Sequence, residues 1–167
     1  VIGAIIILLL SAAGGLLFSL QRTRIDMTQT LSFPSLGDLP ETRWQILAQK
    51  KIFFAHMSVG YDILNGAQSK QKEIPSFPFQ QTELKSPAEL KTPGCYHAAL
   101  GYNGDPVAKI SSFRDMLLAM KSSPPDLAMM KFCYVDIYAE MDIDTLFAEY
   151  QKMIRDLEHE LPATRYI

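Results

Sequence analysis

The sequence lacks the spacing of a metal site. Its three histidines, His56, His97 and His159, and its two cysteines, Cys95 and Cys133, fall into no C-x-x-C or H-x-x-x-H pattern. A zinc reading therefore has no ligand set, and two cysteines make no disulfide framework. No run of lysine and arginine interleaves with aromatics, and 16 basic side chains against 18 acidic ones leave a net charge of −2. Nucleic acid is thereby set aside as a partner. No internal repeat or low-complexity tract appears, and no cofactor is expected.

What the chain has in excess is one apolar run. Val1 to Leu20 carries no charge over 20 residues, and Gln21-Arg22-Thr23-Arg24 closes it. About 20 apolar residues rising 1.5 Å each span a hydrocarbon core of roughly 30 Å. A cleaved signal peptide is the rival reading, because Ser11-Ala12-Ala13 resembles a small-residue cleavage site. The run resumes at Leu16-Leu17-Phe18, which suits an uncleaved anchor better. Arg22 and Arg24 alone would draw the following residues toward the cytoplasm. The signal-like start favours export, and the extracytoplasmic side is the expectation. The domain plan is an anchor or signal segment over 1–22, a linker over 23–40 with breakers at Pro34, Gly37 and Pro40, and one α/β domain over 41–167.

Within that domain, apolar spacing predicts alternating strands and helices. Glu41–Gln49 is a short amphipathic helix and Ile52–His56 the first strand, followed by a helix over Val59–Ser69. Lys70–Pro93, broken by four prolines, is a long excursion with at most one short strand around Phe77–Leu84. Cys95–Leu100 is the next strand, and Pro106 opens a helix running to Met120. Asp126–Tyr134 is a strand continuous enough to be buried on both faces. Asp142 then precedes a long helix over Ile143–Glu160, and Thr164–Ile167 starts another strand. This order predicts a three-layer α/β/α parallel sheet with right-handed crossovers.

The junction at His56-Met57-Ser58-Val59-Gly60 is where chemistry would sit. A serine between a buried strand and a helix lies beyond the carboxyl end of the sheet, where open α/β folds bind ligands. The helix N-terminus favours developing negative charge. Ser58 therefore reads either as a nucleophile or as an ordinary N-cap. His56, two residues earlier, would share a face with Ser58 if both were extended, and is a candidate base or orienting group. By residue type alone, Cys133 with His97 is another nucleophile–base pair.

A strand running into His-x-Ser-Val-Gly and then a helix resembles the first block of the SGNH (GDSL-type) hydrolases, in a divergent bacterial branch. The likeness covers roughly Lys51 to Asp136 and implies a flavodoxin-like fold with Ser58 as nucleophile. The turn Gly101-Tyr102-Asn103-Gly104-Asp105-Pro106 then takes the place of the second block, whose glycine N–H serves the oxyanion hole. Gly104 is the first candidate and Gly101 the second, although turn composition explains both glycines equally. The third block, Gly-x-Asn-Asp, corresponds to Cys133-Tyr134-Val135-Asp136: Asp136 matches, while Val135 stands where Asn is expected. Asn103 is the available substitute. His56-Met57 also replaces the usual Gly-Asp before the serine. The fourth block, Asp-x-x-His, is matched by Asp156-Leu157-Glu158-His159, but on the charged face of a helix, where a solvated surface explains it. The resemblance implies that the true base lies beyond Ile167. The 167-residue chain by itself is thus expected to be inactive and aggregation-prone along an uncovered sheet edge.

Two functions follow. The first is a membrane-anchored serine ester hydrolase or acyl transferase of SGNH type, acting on an acyl ester such as an acylated carbohydrate or lipid. The second is a non-catalytic, anchored α/β binding module with a degenerate site.

Overall fold

Five short strands run parallel in one sheet of order β2-β3-β1-β4-β5. The computed structural model describes residues 35–73 and 80–167, of which Ser35–Ile167 belong to one unit. The expected anchor over 1–22 and most of the linker lie outside the described residues. Among the described residues no helix is long and apolar enough to cross a membrane.

The elements follow the hydrophobic pattern closely. They are α1 (Glu41–Leu47), β1 (Lys51–His56), α2 (Gly60–Glu73), β2 (Gln81–Glu83), β3 (Gly94–Ala99), α3 (Pro106–Ala119), β4 (Leu127–Met130), α4 (Ile143–Glu160) and β5 (Arg165–Tyr166). Pro106 enters α3 at its first turn, where a missing N–H costs nothing, and Asp105 caps it by accepting the Ala108 N–H at 2.8 Å. Asp142 caps α4 in the same way through Thr145.

Alternation along β1 sorts the layers. Phe53 and Ala55 face the larger core, where Ile110, Phe113 and Leu117 of α3 meet Leu146, Met153 and Leu157 of α4. Phe54 faces the other way, against Leu64 of α2 and Cys95. Helices therefore cover both faces, and β1, paired with β3 on one side and β4 on the other, is the buried centre.

One strand is shorter than its sequence suggests. The apolar run to Tyr134 predicted nine strand residues, yet β4 ends at Met130. The cause is Asp136. Its carboxylate accepts the Cys133 N–H at 2.5 Å and draws Tyr134–Asp136 into a 3-10 turn, away from the ladder.

Candidate active site

Three loops leave the carboxyl ends of β1, β3 and β4 and are tied together there. Leu100 N–H donates to the His56 carbonyl at 3.0 Å, and Lys131 N–H to the Ala55 carbonyl at 3.2 Å. The Cys133 thiol reaches the Met57 carbonyl at 3.5 Å. Gly104 N–H donates to Asp136 Oδ1 at 2.7 Å, across 32 residues of sequence. The helices that follow β1 and β3 lie on opposite faces of the sheet, so the two connections diverge at this end.

Ser58 sits on the first of these loops. Its φ of 48° lies in the left-handed region, and it is the sole non-glycine with positive φ among the described residues. The residue is exposed, and among the described residues nothing hydrogen-bonds its hydroxyl. The N-cap alternative therefore fails: the first bonds of the turn, Gly60 N–H to Met57 O and Tyr61 N–H to Ser58 O, are backbone only. Holding a non-glycine residue here costs about 1–2 kcal/mol.

His56 is not where extended geometry predicted. The left-handed turn at Ser58 breaks the two-residue alternation, and the His56 imidazole is wholly buried on the α2 face. Phe54 flanks it at a 4.8 Å centroid separation, and Tyr61 meets it edge-on at 4.6 Å. Its Nε2 lies 3.2 Å from His97 Nδ1, while its Nδ1 has no hydrogen-bond partner among the described residues. Burial, the neighbouring His97 and Lys131 push its pKa down to about 4, with Glu83 opposing. Burial also lowers His97, aided by Lys85 and opposed by Glu83. The pair is a neutral core feature and makes no bond to Ser58. Cys133 and His97 are likewise kept apart: the thiol contacts Lys131 Nζ at 3.4 Å and Met57 O, and His97 contacts His56.

Asp136 is fully buried and is the knot of the other two loops. Besides the Gly104 and Cys133 N–H groups, it binds Lys109 Nζ at 2.6 Å, and both side chains are shielded from solvent. Burial by itself would raise the carboxyl pKa. Hydrogen bonds from Lys109, Cys133 and Gly104 outweigh it and hold the group below the ordinary value. Lys109 also donates to Asn103 Oδ1 at 3.0 Å. The Gly104 N–H, expected to face an oxyanion, thus faces Asp136 instead. Gly101, at φ 52°, lies close against α3, where an added Cβ would come within 3.1 Å of Lys109 Cγ. Val135 is part exposed and brings no donor.

Sequence reasoning missed Lys109. It read α3 by its apolar stripe, and a lone lysine on a helix gives no hint of burial; only its partner, 27 residues on, explains it. His159 is 88% exposed near the C-terminal end of α4, which the following β5 places at the amino end of the sheet. The whole sheet separates it from Ser58. No group of three or more metal-ligating side chains occurs among the described residues. No protein-family model, curated protein or solved structure matches this chain.

Proposed function

We propose that this chain belongs to an SGNH-type serine ester hydrolase or acyl transferase with Ser58 as nucleophile, anchored to a membrane through residues 1–20 and acting on the extracytoplasmic side. The observation that carries the reading is Ser58: exposed, unpartnered and held at φ 48° between the central strand and a helix. Backbone strain retained at a serine on the rim of a sheet is what a presented nucleophile requires. The strand order supports it as well. With edge strand β2 set aside, the remaining order β3-β1-β4-β5 is compatible with a flavodoxin-like sheet, a class that binds ligands beside the central strand.

In this reading Ser58 Oγ attacks the acyl carbonyl, its proton passes to a general base, and the backbone N–H of Ser58 helps to hold the oxyanion. At the start of α3 a groove of about 330 Å³ runs between Gly104–Val107 and Tyr138–Leu146, with room for part of a substrate. A fluorophosphonate tests the proposal. The folded full-length protein should be labelled at Ser58 and its Ser58→Ala variant should not; an unlabelled Ser58 in the folded protein refutes it.

The second reading is an anchored binding module on the same scaffold. It is favoured by the Gly104 N–H facing Asp136 and by Val135 where a donor is expected. Under it, Ser58 stays unmodified while the domain folds normally.

A further inference from the structure

We propose that the loops after β3 and β4 dock the domain on a zwitterionic phospholipid surface through Tyr102, Tyr134 and Tyr138; this rests on the membrane-anchored reading above. Burial in the second loop is inverted. Asp136 is fully buried, while Tyr134, Val135, Ile137 and Tyr138 around it are exposed. A chain normally turns its acid to water and its apolar residues inward, so an exposed apolar group of this kind marks an interaction surface. The inversion is held from beneath. Asp136 takes the Lys109 ammonium at 2.6 Å and the Cys133 and Gly104 N–H groups, which pins the loop with its acid inward. The Gly104 bond also joins this loop to the turn after β3, where Tyr102 and, at the start of α3, Val107 are exposed as well.

The composition of the patch points to lipid. Tyr102 and Tyr134 are 76% and 81% exposed and Tyr138 is 55% exposed, and no other tyrosine reaches half. An apolar ring with a hydroxyl tip suits the boundary between hydrocarbon and water. Tyr102–Val107 and Tyr134–Met141 contain no lysine or arginine; their charges are Asp105, Glu140 and the buried Asp136. Attraction to anionic headgroups has no source here, and a zwitterionic surface is the one the patch fits. The tether makes a small patch sufficient. The chain from Leu20 to Ser35 spans at most about 50 Å however it runs. Docking of the anchored domain is therefore intramolecular and gains from a high effective concentration. Val107 and Tyr138 also line the groove at the start of α3, so docking sets that groove at the lipid interface.

The experiment reconstitutes the full-length protein in phosphatidylcholine vesicles. Flotation with the vesicles that survives high salt and alkaline carbonate establishes the anchor. Cys95 and Cys133 are buried, so a single introduced cysteine takes a nitroxide label: Val135→Cys in the patch, or His159→Cys at the opposite end of the sheet. The label at 135 should lose collisions with a water-soluble nickel complex and gain collisions with oxygen, while the label at 159 stays open to nickel. Combining Tyr102→Ser, Tyr134→Ser and Tyr138→Ser should return nickel access at 135 to the level at 159. Because the three side chains are exposed, the thermal melt should not move. Phosphatidylserine should not strengthen the shielding. If the protein floats and the label at 135 is as open to nickel as that at 159, the inference is overturned while the anchored reading stands. Shielding from nickel and oxygen together means burial against protein, a second copy included, and overturns it too, as does shielding that requires phosphatidylserine. A protein that does not float overturns the anchored reading and takes this inference with it.

Discussion

Gly60 lies directly over the His56 ring: a Cβ added there would stand 2.2 Å from Nδ1 and 2.3 Å from Cγ. The helix that follows Ser58 therefore starts in contact with a buried imidazole, and only a residue without a side chain fits between them. Gly60→Ala must push either the ring or the helix start aside. Such overpacking typically costs about 1–3 kcal/mol, and denaturant unfolding should register it as a lower midpoint at unchanged slope. Parent-like stability in this variant would contradict the packing.

The histidine pair makes stability depend on pH below neutrality. Above pH 6.5 the imidazole is neutral in folded and unfolded chains alike, and its contribution is full. As pH falls through 6.5, the unfolded chain binds a proton that folded His56 refuses until near its own value of about 4. Stability should therefore decline between about pH 6.5 and 4, by about 2 kcal/mol for His56 alone at pH 5, with His97 adding in the same direction. Asp136, held below its ordinary value, lowers stability in the same direction only at the acid end of this window. Urea titrations at pH 7 and pH 5 check the sign, and His56→Phe should flatten the slope.

At Ser58, strain and chemistry can be separated by one substitution. Glycine adopts positive φ freely, so Ser58→Gly should stabilise the domain by up to about 1 kcal/mol while removing the hydroxyl. Ser58→Ala removes the hydroxyl and keeps the strain. Thermal melts that rank glycine above both serine and alanine would establish that the left-handed turn is held against local preference. A glycine variant no more stable than the parent would argue against strain at this position.

Lys109 and Asp136 should behave as a unit. Lys109→Met leaves a carboxylate buried without its cation and should cost about 3–5 kcal/mol. Adding Asp136→Asn removes the orphaned charge and keeps one acceptor for the Gly104 and Cys133 N–H groups. The double variant should be more stable than Lys109→Met alone, a non-additivity that a double-mutant cycle measures.

Much of the fold was legible along the chain because its signals are local. The stripe Leu146, Met153 and Leu157 with Asp142 before it defines α4 to the residue, and Pro106 after Asp105 marks the start of α3. The strands were legible in place but not always in length: the apolar letters continue past Met130, while the chain turns away to serve Asp136. At the site, the strand-to-helix junction picked out Ser58, yet its conformation was hidden, since φ 48° is not a preference of serine. Extended geometry for Ser58 misplaced His56 as a result. The histidine pair and the Lys109–Asp136–Asn103 cluster were invisible for a different reason. Their members lie 41 and 27 residues apart and meet only through sheet pairing and crossover, information no window of sequence contains.

The bond from Gly104 N–H to Asp136 also bears on when this cluster of loops comes into being. Its ends belong to the loops after β3 and β4, and the serine loop touches both through Met57 and His56. None of the three loops is braced until all three central strands are side by side. The loop cluster is therefore a late product of folding, set by contacts distant in sequence, whose closure is slower than that of any single helix. Partly folded chains would hold their helices and still lack a shaped site. Protection of the Gly104 and Cys133 amides in pulsed hydrogen exchange should accordingly trail protection within α3 and α4.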